Sequence, residues 1–131
     1  MIVIDASVLA NVIGDDGSDG HRARQEFRTA DSVAAPDLVD VETTAVLRKR
    51  WLAGSITDQR FADAVTDLQD LDFDRYPTLH FMARAFHLRA NVTAYDAAYV
   101  ALAEELSCEL LTANARLATA PGTRCAIRVL K

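Results

Sequence analysis

The chain opens on Ile2-Val3-Ile4, three β-branched residues with no polar alternation, and Asp5 ends the run. Such a run suits a strand buried on both faces. Residues 6–13 predict a helix, and the Gly- and Asp-rich stretch 14–20 a loop. A polar helix over 21–29 follows, then a weak strand at Val33-Ala34-Ala35. Pro36 suits the first turn of the next helix, which runs to about residue 53 with Leu38, Val41, Ala45 and Leu52 near one face. Gly54 stops it. Thr57 caps a helix in which Phe61, Val65 and Leu68 fall at helical spacing. Leu71-Asp72-Phe73 reads as a brief strand, followed by Pro77 and a helix to about residue 88. Thr93-Ala94-Tyr95-Asp96 has the form of a capping box and opens an alanine-rich helix to residue 106. A strand at 109–112, a short helix at 114–120 and a strand at 126–130 complete the chain.

Strands alternating with helices imply an α/β fold, a parallel sheet with helices on both faces in three layers. No repeat, linker or low-complexity tract divides the sequence, so residues 1–131 are expected to form one domain. Half the residues are apolar and 25% are charged, an ordinary globular balance. The net charge of −5 changes the picture more. A protein that holds nucleic acid by charge alone is normally basic. Any nucleic-acid function must therefore account for the acids, and a site built of carboxylates would. The two cysteines, Cys108 and Cys125, lack metal-ligand spacing and read as small apolar residues in a reducing compartment, with a disulfide between them left open. Asp5 interrupts the start before a leader could form, and the longest apolar run, 97–103, is too short to span a bilayer. A soluble, cytoplasmic protein with no membrane partner is expected.

In sheets of this kind, sites lie beyond the carboxyl ends of the strands. Asp5 ends the first strand, and Asn114 follows the strand at 109–112. Glu42 lies two turns into the predicted third helix, and Asp96 in the first turn of its own. Each has a local alternative. Asp5 and Asn114 are good N-caps, and Asp96 can serve the capping box. Glu42 is harder to place, because Val41, Thr43, Ala45 and Val46 set it beside an apolar face. A carboxylate there needs a partner or a metal.

Four stretches taken together resemble one family. They are Ile2-Val3-Ile4-Asp5-Ala6-Ser7, residues 35–42 ending in Val41-Glu42, Tyr95-Asp96-Ala97-Ala98-Tyr99 with the alanine-rich turns after it, and Leu110-Leu111-Thr112-Ala113-Asn114. In order and spacing they resemble PIN-domain ribonucleases, in particular the VapC-type toxins of bacterial toxin–antitoxin pairs. The resemblance implies a PIN-like fold and a magnesium- or manganese-dependent endoribonuclease. It also implies an RNA substrate, a small VapB-type antitoxin and a homodimer. By the same resemblance Asp5, Glu42 and Asp96 match the metal-binding acids, and Asn114 stands where a fourth acid is usual. A neutral amide oxygen is a weaker ligand for a hard cation. A second reading is therefore a catalytically weakened PIN domain that acts mainly by binding RNA or antitoxin.

The chemistry suits the residue types, since magnesium and manganese prefer oxygen donors. Ser7 and Thr112 are candidates to support the ligands or touch phosphate, with a helix first turn and a strand end as their plain alternatives. Arg116, and behind it Arg22, Arg24, Arg28 and Arg48-Lys49-Arg50, are candidates for the RNA backbone. Trp51, Leu52, Phe61, Val65 and Leu68 offer an apolar surface for an amphipathic helix of the antitoxin, or else part of the core. Asp37 and Asp40 read as first-turn acids that complement a helix dipole. Asp15, Asp19, Gly20 and Glu26 match positions of a calcium loop, but Gly17 and Ala23 fall where ligands belong, and no calcium site is expected. A receiver-type signalling domain would need paired acids after the first strand and a lysine after a late one. Asp5 stands alone, and only Lys131 follows a late strand. His21, His80 and His87 carry no recognisable pattern.

Overall fold

A computed structural model describes residues 1–131. Five strands form the sheet: β1 (Ile2–Ile4), β2 (Val33–Pro36), β3 (Asp74–Tyr76), β4 (Glu109–Thr112) and β5 (Ile127–Val129). They lie in the order β3-β2-β1-β4-β5, and every pair is parallel. The chain moves outward from β1 to β3, then returns to place β4 on the other side of β1. The boundary between β1 and β4 is thus where the strand order reverses, the usual place for a site in an open α/β sheet.

The helices are α1 (Ala6–Gly14), α2 (Ser18–Thr29), α3 (Val39–Leu52), α4 (Asp58–Asp70), α5 (Met82–His87, entered through a 3-10 turn at Thr78–Phe81), α6 (Ala94–Leu106) and α7 (Ala115–Ala118). On one face α1 packs against α2, α3 and α4. On the other α6 packs against α5 and lies over β1, β2 and β4. This is the three-layer arrangement that the alternation of elements predicts. The central strands explain their composition. Covered on both sides, β1 and β2 are buried throughout, and β4 everywhere except Glu109. No helix is long and apolar enough to cross a membrane.

Several expectations need correction. Pro36 ends β2 and does not open a helix. Pairing with β1 stops at Val3↔Ala34, so the missing N–H of Pro36 breaks no ladder. The helix starts at Val39, which puts Glu42 in its first turn and not two turns in. Asp37 therefore precedes the helix, where its carboxylate accepts from the backbone N–H and hydroxyl of Thr78. Asp40 does lie in the first turn, and it pairs with Arg75 at 2.7 Å. The buried face of α3 is Val39, Thr43 and Leu47, whereas Val41, Ala45 and Leu52 are exposed. Apolar residues occur all round this helix, so packing on α1 and α4, and not periodicity, selects the face.

The third strand is Asp74–Tyr76, not 71–73, with Leu71 and Phe73 packed against the core just before it. An edge strand has one neighbour and tolerates polar residues, which hides it from a hydrophobic pattern. The predicted loop at 14–20 is shorter, because α2 begins at Ser18. Asp15 Oδ1 accepts the amides of Gly17 and Gly20, and Glu26 is bound to Arg128, so these acids have protein partners where a calcium loop would need them free. Both cysteines are free thiols.

Glycine matters at two turns. Gly54, at φ 77°, closes α3 in the left-handed region. At Gly20 a Cβ would meet the carbonyl oxygen of Asp15 at 1.8 Å. Alanine normally favours a helix over glycine by about 1 kcal/mol. The backbone clash should outweigh that gain, so Gly20→Ala is expected to lose about 1–3 kcal/mol of stability in urea unfolding. A variant as stable as the parent would refute the close approach of α1 and α2.

Candidate functional site

Asp5 sets the site. It leaves β1 in extended conformation and caps α1, its Oδ1 accepting from the N–H of Val8 at 3.2 Å. The capping alternative is thus real, but it uses only part of the carboxylate. The Ser7 hydroxyl also donates to Oδ1, at 2.5 Å, and the Thr112 hydroxyl donates to Oδ2 from the end of β4. Ser7 Oγ in turn accepts from the N–H of Ala113, and Thr112 Oγ1 from the N–H of Asn114. The ends of β1 and β4 are sewn together through one acid.

That acid is 5% exposed and forms no salt bridge. Hydrogen bonds to a charged group contribute about 1.5–3 kcal/mol each. Burying an ion costs several kcal/mol. Burial wins here: the Asp5 carboxyl is pushed above its usual range despite its hydroxyl and amide donors.

Glu42, in the first turn of α3, and Asp96, in the first turn of α6, face the same region, and both are half-buried. Burial raises Glu42, and the charges of Asp96 and Asp5 raise it further. Asp96 is raised by burial and by Asp5, while Thr93 opposes the shift. The three acids are therefore close enough to resist one another's ionisation, although no three His, Cys, Asp or Glu side chains close to metal-ligand distance. No basic residue enters the causes for any of them. Carboxylate oxygens without a basic partner fit a hard divalent cation in donor type and charge.

Asn114 is exposed, and its Oδ1 accepts from the N–H of Arg116 at 3.1 Å, an N-cap for α7. Arg116 is exposed beside it. Other basic candidates are already engaged. Arg24 donates to the carbonyls of Val12 and Asp15, Arg50 to Asn11 Oδ1 and the carbonyl of Ala10, and Arg22 pairs with Asp19. Arg28, Arg48 and Lys49 remain exposed.

One residue escaped the sequence reading. Tyr99, 1% exposed, donates its hydroxyl to Glu42 Oε1 at 2.7 Å. Its spacing of three from Asp96 puts both on one face of α6, a signal that only the position of Glu42 makes meaningful.

The PIN domain family model matches residues 2–122. The chain belongs to the PIN-domain family. It is 38% identical to VapC ribonuclease Mb0985 of Mycobacterium bovis, over 99% of this chain and 98% of that one. Ribonuclease VapC1 of Mycobacterium tuberculosis is 35% identical over 98% and 97%. These relatives make it a VapC-type member. The fold agrees with two solved structures. The Sarcin-Ricin loop cleaving toxin VapC20 of Mycobacterium tuberculosis superposes with a TM-score of 0.70 at 13% identity, over 95% of this chain and 97% of that one. PAE2754 of Pyrobaculum aerophilum does so with a TM-score of 0.69 at 21% identity, over 96% and 81%.

The raised Asp5 carboxyl has a signed consequence. The folded state favours its protonated form, so the stability it contributes is full below the unfolded pKa of about 3.9 and is lost as pH rises through the higher folded value. In chelator, Asp5→Asn should raise the melting temperature at pH 7.5, and its advantage over the parent should shrink as pH falls toward 4. An advantage that is absent, or that does not change with pH, would show that burial of this charge does not limit stability.

Proposed function

We propose that this PIN domain is an endoribonuclease of the VapC type, dependent on magnesium or manganese, with Asp5, Glu42 and Asp96 holding the cation. The observation that carries the reading is the buried Asp5 carboxylate, which has no cationic partner and faces two further acids. When bound, the cation supplies Lewis acidity at the phosphodiester and a nucleophilic water at neutral pH. The protein's part is orientation. The Ser7 and Thr112 hydroxyls hold both oxygens of Asp5 before substrate arrives, so that ligand need not reorganise during reaction. The exposed Arg116 guanidinium, in the first turn after the cap, is suited to the RNA backbone. Asn114 takes the fourth position as a neutral oxygen donor already used in capping. That favours, as a second reading, a weakened enzyme that acts mainly by binding RNA or antitoxin.

Cleavage of structured RNAs with and without manganese tests the proposal. Asp5→Asn, Glu42→Gln and Asp96→Asn should each lower the rate about 100-fold or more. Asn114→Asp should raise it and lower the manganese concentration required. Full activity in chelator would sink the metal reading, and an inactive parent rescued by Asn114→Asp would favour the second.

In this reading the protein is cytoplasmic, self-associates as a homodimer and is neutralised by a VapB-type antitoxin. The α3–α4 groove supports an antitoxin helix as the occupant. Trp51 is 40% exposed and lies against Phe61, with Val65 beside them. Leu68 belongs instead to the core, and Leu52 does not line the groove. Trp51→Ala and Phe61→Ala should weaken capture of the cognate antitoxin in a pull-down while leaving the fold intact. Undiminished capture by both would move the interface elsewhere.

A further inference from the structure

We propose that Tyr99 is a positioning residue, whose hydroxyl aims the Glu42 carboxylate at the site from the opposite layer of the fold. The inference rests on the reading of Glu42 as a ligand. The acids arrive on different layers, Glu42 on α3 and Asp96 on α6. α3 packs on α1 and α4, whereas α6 packs on α5 and the sheet. The Tyr99–Glu42 bond is the one side-chain hydrogen bond between the two helices.

The two side chains differ in freedom. Tyr99 is among the largest fully buried side chains, so its ring is fixed by the core and its hydroxyl has a set position. Glu42 is half-exposed and has three rotatable bonds, so nothing in its own helix fixes its carboxylate. Tyr99 engages only Oε1 and leaves Oε2 without a hydrogen-bond partner, free for a cation. A buried hydroxyl also needs an acceptor, and Glu42 is its only one. This division, one oxygen held by a rigid donor and the other open, is how a ligating carboxylate is oriented by its neighbours.

Manganese alone, titrated into RNA-free protein by calorimetry, tests the assignment. Tyr99→Phe keeps the ring and removes the hydroxyl. It should weaken manganese affinity about tenfold. The rate at saturating RNA should fall while KM for RNA stays unchanged, and the melting temperature in chelator should not drop. Glu42→Asp keeps the charge but withdraws it from the hydroxyl, and should weaken binding similarly. Adding Tyr99→Phe to Glu42→Asp or Glu42→Gln should then cost less than twofold more.

Unchanged manganese affinity in Tyr99→Phe, with Glu42→Gln impaired, overturns the positioning role and leaves the metal reading standing. An equal loss from Tyr99→Phe with and without Glu42→Gln overturns it too, because the effect would not pass through Glu42. Unchanged affinity in Glu42→Gln itself would break the ligand assignment on which both stand. Should Tyr99→Phe fail to fold, Glu42→Asp decides: full manganese affinity there refutes the need for the bond.

Discussion

A carboxylate buried without a countercharge is the constraint around which this protein is arranged. Asp5 lies where β1 ends beside β4, at the reversal of strand order, and both of its oxygens are taken by hydroxyl or amide donors. Those donors are neutral. They orient the charge without cancelling it, so the local field stays negative and the nearby acids are harder to ionise. A salt bridge at the same place would have relieved the fold and closed the site to cations. The ion pairs of this protein lie elsewhere, as in Arg84–Glu104 and Arg128–Glu26, where they tie one element to another.

This arrangement also accounts for the acidity of a protein read as acting on RNA. In the proposed reading the charge near the site serves to bind a cation, and the cation, not the chain, would offset the phosphates. In that reading exposed arginine is needed only around it, and Arg116, two residues past Asn114, is suited to that.

Much of this was legible in the sequence, for identifiable reasons. Strand β1 is a continuous apolar run followed directly by Asp5, and β4 centres on Leu110-Leu111 with Asn114 two residues past its end. Strand β3 is not legible in the sequence, because an edge strand such as Asp74-Arg75-Tyr76 needs no apolar run. The start of α3 is ambiguous in the sequence because Pro36 satisfies either a helix start or a strand end, and only the partners on either side decide. The same ambiguity hid the burial of Thr43 and Leu47 behind the exposed Val41 and Leu52. Tyr99 was unreadable for another reason: its partner is 57 residues away, in another layer, and local spacing carries no trace of that contact.

The pairing of β1 with β4 has a consequence in time. Ile2 is in register with Glu109, and Thr112 reaches Asp5 across 107 residues of chain. Contacts so distant in sequence close late and slowly. A chain emerging from the ribosome therefore carries its first strand and first acid long before the strand that completes them is made. Until then Asp5 is an ordinary solvated aspartate at the edge of an unfinished sheet. The join between the two strands closes only once the segment carrying Thr112 has been made.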